Sequence, residues 1–438
     1  MPPRRGQPPP PSPTTASANP DQSNITISTT QTDADPATFK LYDVTFTLHR
    51  VSPLFLGSHD TSLSKKRLHT LAQRLRDVLV GDVVRGVEVG LGTAAASSGD
   101  DNGNPLARLG SLDAVVMRSV DVCDLLDASL ERLQEQFEYG AHGEDPTELW
   151  KKLKGRLQGK QGLTIELVYE SGLCEALLLP DLSGSQSTPS SSLWSSSSAA
   201  ALGGKTDGKE RPFLCLPLML MRMPSPLKSV VSEFLAAEFD CKVSQCRLGT
   251  RTMMGGLERW MQTLGKNKTE QQKDLLVAFG FDILPLLPKL DVAEGPADKA
   301  KLGLNTADVI IPAQKLPVFL QHGQGMEQDE IARRYEEGGV RYEIEPQTEQ
   351  QLLARRLKEE GWGWVDEGQQ PFTQALSRYV KFMLKLELFH PAVRVIKVAC
   401  SGFVVVEGRI KIFRTMDRAA VVDWLGLLCE RAMVQQID

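Results

Sequence analysis

Residues 163–179 read LTIELVYESGLCEALLL. Leu163, Ile165, Leu167 and Tyr169 fall on one side of an extended chain, because successive strand side chains point to opposite faces. Glu170-Ser171-Gly172 supplies turn chemistry, and a second apolar run follows at once. Strands joined by so short a link run antiparallel, since parallel neighbours need a long crossover. Residues 403–413, FVVVEGRIKIF, repeat the pattern around Glu407-Gly408.

Upstream, Tyr42, Val44, Phe46 and Leu48 alternate with Asp43, Thr45, Thr47 and His49, which predicts a half-buried strand from Leu41 ended by Pro53. Leu68, Leu71, Ala72, Leu75, Val78 and Leu79 recur at helical spacing, with Ser62 or Ser64 as cap and Gly81 as stop. Val87, Val89 and Leu91 alternate as a further strand. The apolar run Phe213–Met223 contains Pro217, which cannot donate to a ladder, so it reads as an edge strand or a bulged one. Ser225-Pro226 opens a helix whose buried stripe is Leu227, Val230, Val231, Phe234 and Leu235. Serine is expected there as the cap, a reading that competes with a Ser-Pro phosphorylation site. Later strands are expected at Leu275–Ile283, Val309–Leu320 and Val393–Cys400, and helices at Phe372–Leu388 and Asp417–Met433. The fold class is therefore α+β, with largely antiparallel sheet and flanking helices.

The 438 residues, 41% hydrophobic, suffice for a sizeable core. Residues 1–37, rich in Pro, Ser and Thr, read as a disordered tail. The remainder divides into an α+β part at 38–182, a low-complexity insertion at 183–211, a central α+β part at 212–320, an acidic insertion at 321–371 and a C-terminal part at 372–438. Residues 92–104 form a shorter loop of low complexity. Between 321 and 370, twelve acidic residues face six basic ones, so a solvated helical insertion is expected. Ser12-Pro13 and Thr188-Pro189 match a phosphoacceptor pattern that two-residue chance also produces.

No run of about 18 apolar residues marks a membrane span, and MPPRRGQPPPPSPTT lacks the apolar segment of a secretory signal. Seven scattered cysteines are no disulfide framework and suit a reducing compartment, cytosol or nucleus. Gly265-Lys266-Asn267 lacks the glycine and hydroxyl of a phosphate loop. Cys241 and Cys246 have no second pair to complete a zinc site. The six histidines form no HExxH, and no GxSxG elbow is present. Gly361-Trp362-Gly363-Trp364 reads as a local cluster rather than a ligand site. No cofactor, metal, small-molecule substrate or catalytic residue is expected, and an unrecognised enzyme is the weakest of the readings.

Three stretches carry excess positive charge. The first is Lys151, Lys152, Lys154, Arg156 and Lys160; the second runs from Lys242 through Arg247, Arg251, Arg259, Lys266 and Lys268 to Lys273. The third is Arg394, Lys397, Arg409, Lys411 and Arg414, which gives candidates for DNA phosphates. A solvated face is the alternative, and the lack of interleaved aromatics disfavours single-strand stacking.

The segment LYDVTFTLHRVSPLF at 41–55 resembles the opening of the centromere protein L family in its fungal form. The likeness continues at RLRDVL (74–79), RGVEVGL (85–91), Tyr169-Glu170 with 176–179, LMLMRMP (218–224) and GRIKIF (408–413). This resemblance implies a non-catalytic inner-kinetochore subunit in the nucleus. It would pair with a centromere protein N-like partner, meet other inner-kinetochore subunits, and help hold the constitutive centromere-associated network on centromeric chromatin. It also implies a curved antiparallel sheet and pairing through C-terminal strands. The edge candidates are Val393–Cys400 and Phe403–Phe413, with Val404, Val406, Ile410, Ile412 and Phe413 as partner residues. A backbone-directed duplex DNA-binding protein is the second reading.

Overall fold

In β1 (Thr45–Val51), Phe46 and Leu48 are buried while Thr45 is exposed and Thr47 half-buried, as period-two patterning requires. The computed structural model describes residues 39–57, 63–84, 109–127, 153–182, 213–264, 273–281, 305–323, 360–362, 364–365, 370–390 and 392–434. The expected tail, the strand at 85–91 and the low-complexity stretches at 92–104 and 183–211 lie outside them.

After β1 come β2 (Leu54–Phe55), α1 (Lys65–Val84), β3 (Leu112–Asp121), β4 (Gln161–Tyr169), β5 (Gly172–Leu179), β6 (Phe213–Leu214) and β7 (Leu218–Arg222). Then follow α2 (Ser225–Phe239), β8 (Val243–Gln245), α3 (Thr250–Leu264), β9 (Leu275–Phe281), β10 (Thr306–Ile311), α4 (Pro371–Leu384), β11 (Val393–Ala399), β12 (Phe403–Val406), β13 (Arg409–Ile412) and α5 (Arg418–Val434). An eleven-stranded open sheet has the order β10-β9-β11-β12-β13-β1-β7-β5-β4-β3, with β8 also bonded to β1; β2 and β6 form a separate pair. Every pairing between named strands is antiparallel. The α+β fold and both hairpins stand as expected.

The sheet carries a core on each face. One face presents Phe46, Leu48, Leu177, Leu220, Val277, Phe279, Val395, Phe403, Val405, Ile410 and Ile412 to α3, α4 and α5. Trp424 of α5 lies against Gly256 of α3, and a β-carbon there would sit 2.1 Å from the indole. The opposite face presents Met117, Leu163, Ile165, Ala176, Leu178, Met219 and Met221 to the apolar stripes of α1 and α2. This second core covers only the half of the sheet from the end of β1, at Val51, to β3.

Several local expectations need correction. The segment before β1 is not a continuous strand: Asp43 has φ +60, which breaks the extended path, and Tyr42 makes an isolated parallel bridge to Ile412. Helix α1 does not stop at Gly81 but continues to Val84, because one interior glycine costs only about 1 kcal/mol. Its cap is Ser64, whose hydroxyl accepts the Arg67 N–H at 3.3 Å. The Phe213–Met223 run is no edge strand. It breaks at 215–217, and β7 lies between β1 and β5. Pro217 precedes β7, where no donor is needed, and its carbonyl accepts from Val51 N–H at 2.9 Å. Ser225 is the first helical residue of α2 rather than its cap; Pro224 holds that position and no side chain caps it. Strand β10 ends at Ile311 before Pro312, and residues 316–323 are helical.

Trp362 and Trp364 do form a stacked pair, with centroids 6.3 Å apart, but inside the larger core. Trp362 donates to the Val393 carbonyl at 2.8 Å. Thr250 fixes the neighbouring backbone: its hydroxyl donates to the Glu360 carbonyl (2.6 Å) and accepts from Val395 N–H (3.0 Å).

Candidate functional site

Strand register generates one continuous cross-strand row. It runs Asp308, Ala278, Lys397, Val406, Arg409, Thr47, Met221, Ala176, Ile165, Met117. Directly opposed residues share a face. The last four belong to the core under α1 and α2, whereas none of the first six does. A parallel row, Ile310, Leu276, Ala399, Val404, Lys411, Thr45, lies on the same face. Among the described residues no helix packs on this half, so the face changes from core to surface at β1.

This open half-face collects most of the expected site residues. Arg394 pairs with Gly280, and a β-carbon at Gly280 would lie 3.8 Å from the Arg394 Cγ and Nε, so the arginine side chain crosses that glycine. Lys397, Arg409 and Lys411 occupy the two rows, with Val404 and the exposed Val406 between them. Phe413 extends the β13 side of the face. The Lys411 ammonium is 5.2 Å from its ring centroid and the Lys273 ammonium 5.3 Å, within cation–π range. Lys273 thus joins the C-terminal basic residues from the second basic stretch. Asp308 is the acid of the β10 edge on this face.

Other candidates lie elsewhere. Ile410 and Ile412 are each 1% exposed on the helix-covered face, because alternation puts them opposite Arg409 and Lys411. Arg414 follows β13 and is ion-paired with Asp43 at 2.8 Å. The expectation that Val393–Cys400 and Phe403–Phe413 offer free edges is corrected. Strands β11, β12 and β13 are each bonded on both sides, and among the described residues the ends of the strand order are β10 and β3, with β8 bonded to β1 alone. Lys154 pairs with Asp127 at 3.3 Å, and Arg259 acts on Asp423 and Glu430 of α5, so these basic residues serve the helical side. Lys151, Lys152, Lys266 and Lys268 lie outside the described residues.

At β1, where cover begins, an open groove of about 460 Å3 is lined by Thr45, Thr47, Met221, Lys228 and Arg409 among others. Partial burial and the adjacent Arg409 charge lower the Lys228 pKa. Burial and Lys228 also lower that of His49. The lining holds Lys228, Arg409 and Arg222 and no acidic side chain, so the groove is electropositive.

Alternation in RIKI was readable, but the uninterrupted FVVV hid which valines face solvent. No group of three metal-ligating side chains occurs among the described residues. Cys241, expected to lack a zinc partner, is buried and donates to the Leu235 carbonyl at 3.3 Å; its thiol is pushed up to about 11 by burial. No described helix is long and apolar enough to cross a membrane.

Comparison with curated proteins finds no match. The family model described as Centromere protein L matches residues 40–433, from the strap before β1 to the end of α5. The match spans nearly the whole chain, so the chain belongs to the centromere protein L family, whose members are structural components of the kinetochore at nuclear centromeres.

Proposed function

We propose that this chain is a non-catalytic inner-kinetochore subunit that pairs with a centromere protein N-like partner and helps attach the constitutive centromere-associated network to centromeric chromatin. The observation that carries this reading is the half-face where Lys397, Arg409 and Lys411 surround the exposed Val406 and the half-buried Val404 and Phe413 in a chain of this family. Val404, Val406 and Phe413 supply apolar contact there, whereas buried Ile410 and Ile412 support the strand from behind. Strand addition is assigned to β10, whose outer edge is unbonded among the described residues and whose Ile310 is 57% exposed. The test is co-purification with the partner. Val406→Glu with Ile310→Lys should abolish it while the chain keeps its circular dichroism spectrum. Retained pairing in a folded double variant sinks the assignment.

The second reading, duplex DNA binding through the phosphate backbone, is favoured by the same basic residues. Adjacent strands lie about 4.8 Å apart, so cations on β11 and β13 are about 10 Å apart, a spacing that reaches several phosphates.

A further inference from the structure

We propose that Ser225 is a phosphorylation site for a proline-directed protein kinase, and that Lys228 and Arg409 hold the resulting phosphate. The sequence Ser225-Pro226-Leu227-Lys228 combines an acceptor serine, a following proline and a basic residue three positions on. A kinase of this class reads both features: the proline ring fits a site closed to residues that carry a backbone N–H, and the lysine meets an acidic subsite.

Other Ser-Pro and Thr-Pro pairs lack the basic residue. Ser52-Pro53 has Phe55 at the third position. Its hydroxyl also accepts the Lys242 N–H at 2.8 Å, while its own N–H donates to the Lys242 carbonyl at 3.0 Å. Ser12-Pro13 and Thr188-Pro189 are followed by Thr15 and Ser191 at that position and lie outside the described residues. Ser225 is exposed, makes no capping bond, and follows Pro224 in an extended conformation, φ −57, ψ 153.

The receiving charge is already in place. Pro224 and Lys228, which flank Ser225, both line the electropositive groove, and Arg409 lines it from β13. Among the described residues no acidic side chain pairs with Lys228 or Arg409, so two cations sit together without a counter-ion. Phosphorylation supplies nearly two negative charges and three acceptor oxygens. Each cation can then make a charge-assisted hydrogen bond. In the transfer, the bond between the γ-phosphorus of ATP and its bridging oxygen breaks and a bond to Ser225 Oγ forms. The hydroxyl proton passes to the kinase's base and ADP leaves. Kinase access opens the first turn of α2, breaking the 3.2 Å bond from Lys228 N–H to the Pro224 carbonyl and uncovering Leu227. Helix ends open at little cost relative to global unfolding.

The proposal does not rest on the partner or DNA readings, and its test uses neither. The folded full-length chain is incubated with ATP and a proline-directed kinase of cell-cycle type, and sites are mapped by mass spectrometry. Phosphate is expected on Ser225, lost in Ser225→Ala and slowed several-fold in Lys228→Ala. The Ser225-phosphorylated protein should melt above the unmodified one, and Arg409→Gln should remove that gain without slowing the modification. An unmodified Ser225, under conditions that label a synthetic peptide spanning 221–231, overturns the site. A thermal gain unchanged by both Lys228→Ala and Arg409→Gln overturns the phosphate's placement.

Discussion

The buried carboxylate of Glu258 on α3 holds Thr373 at the start of α4 by two bonds, accepting its backbone N–H at 3.0 Å and its hydroxyl at 2.9 Å. It also accepts Phe372 N–H at 3.0 Å. Helix α4 has no cap from its own sequence, since Gln370 makes no side-chain capping bond. A residue more than a hundred positions upstream satisfies its first N–H groups, which local capping ordinarily does. Glu258→Ala leaves buried donors unpaired and should cost about 2–4 kcal/mol. Urea unfolding checks this, and a midpoint equal to wild type removes the cap from any role in stability.

Gly255 and Gly256 are neighbours on α3 with opposite surroundings. Nothing lies within 4 Å of a β-carbon at Gly255, while one at Gly256 meets the Trp424 indole. Gly255→Ala should stabilise by up to about 1 kcal/mol through helix propensity. Gly256→Ala should destabilise by about 1–3 kcal/mol through overpacking. Thermal melts of the two variants should move in opposite directions; equal shifts contradict the packing described.

Glu166 and Glu175 face each other across β4 and β5 and are nearly fully buried. Burial raises both pKa values; Arg118 at 3.6 Å and Arg222 at 3.5 Å offset this in part. The folded state therefore binds their protons more tightly than the unfolded chain. Stability contributed by the protonated carboxyls is present at low pH and falls as pH rises from about 4.3, the ordinary glutamate value, through the raised folded values. Glu166→Gln should flatten that decline. Denaturation midpoints measured across the acid range decide it, and an unchanged pH slope in the variant contradicts it.

If the open half-face meets DNA phosphates, Lys397→Glu with Lys411→Glu should weaken duplex binding without regard to sequence. Each cation lost should reduce the salt slope by about 1. Arg414→Ala should matter less, because Asp43 already neutralises that arginine. Fluorescence anisotropy over a salt series separates the cases; equal losses at Arg414 and Lys411 would count against this face as the contact.

The sequence made the hairpins legible because a two-residue turn leaves one topology, and the helices legible because their apolar spacing is regular. Strand neighbours remote in sequence were not legible. Nothing in 403–413 says that β13 is bonded to β1, or that β9 closes the other side of β11. That is why apparently free edges proved to be interior. The basic residues of the site could be named from composition, yet only register shows that Lys397, Arg409 and Lys411 share a face while Arg259 turns toward α5. The Glu258 cap left no local trace, since its partners are backbone N–H groups far along the chain.

The change from surface to core at β1 has a mechanical meaning. A pull applied to the open half reaches the laminated half mainly through the contacts of β13 with residues 42–48, centred on the Thr45–Thr47 ladder, and through α5, which lies behind both β1 and β7. The ladder bears shear and α5 acts as a splint across the joint. Under load the sheet is expected to part first between β13 and β1, leaving each hairpin whole.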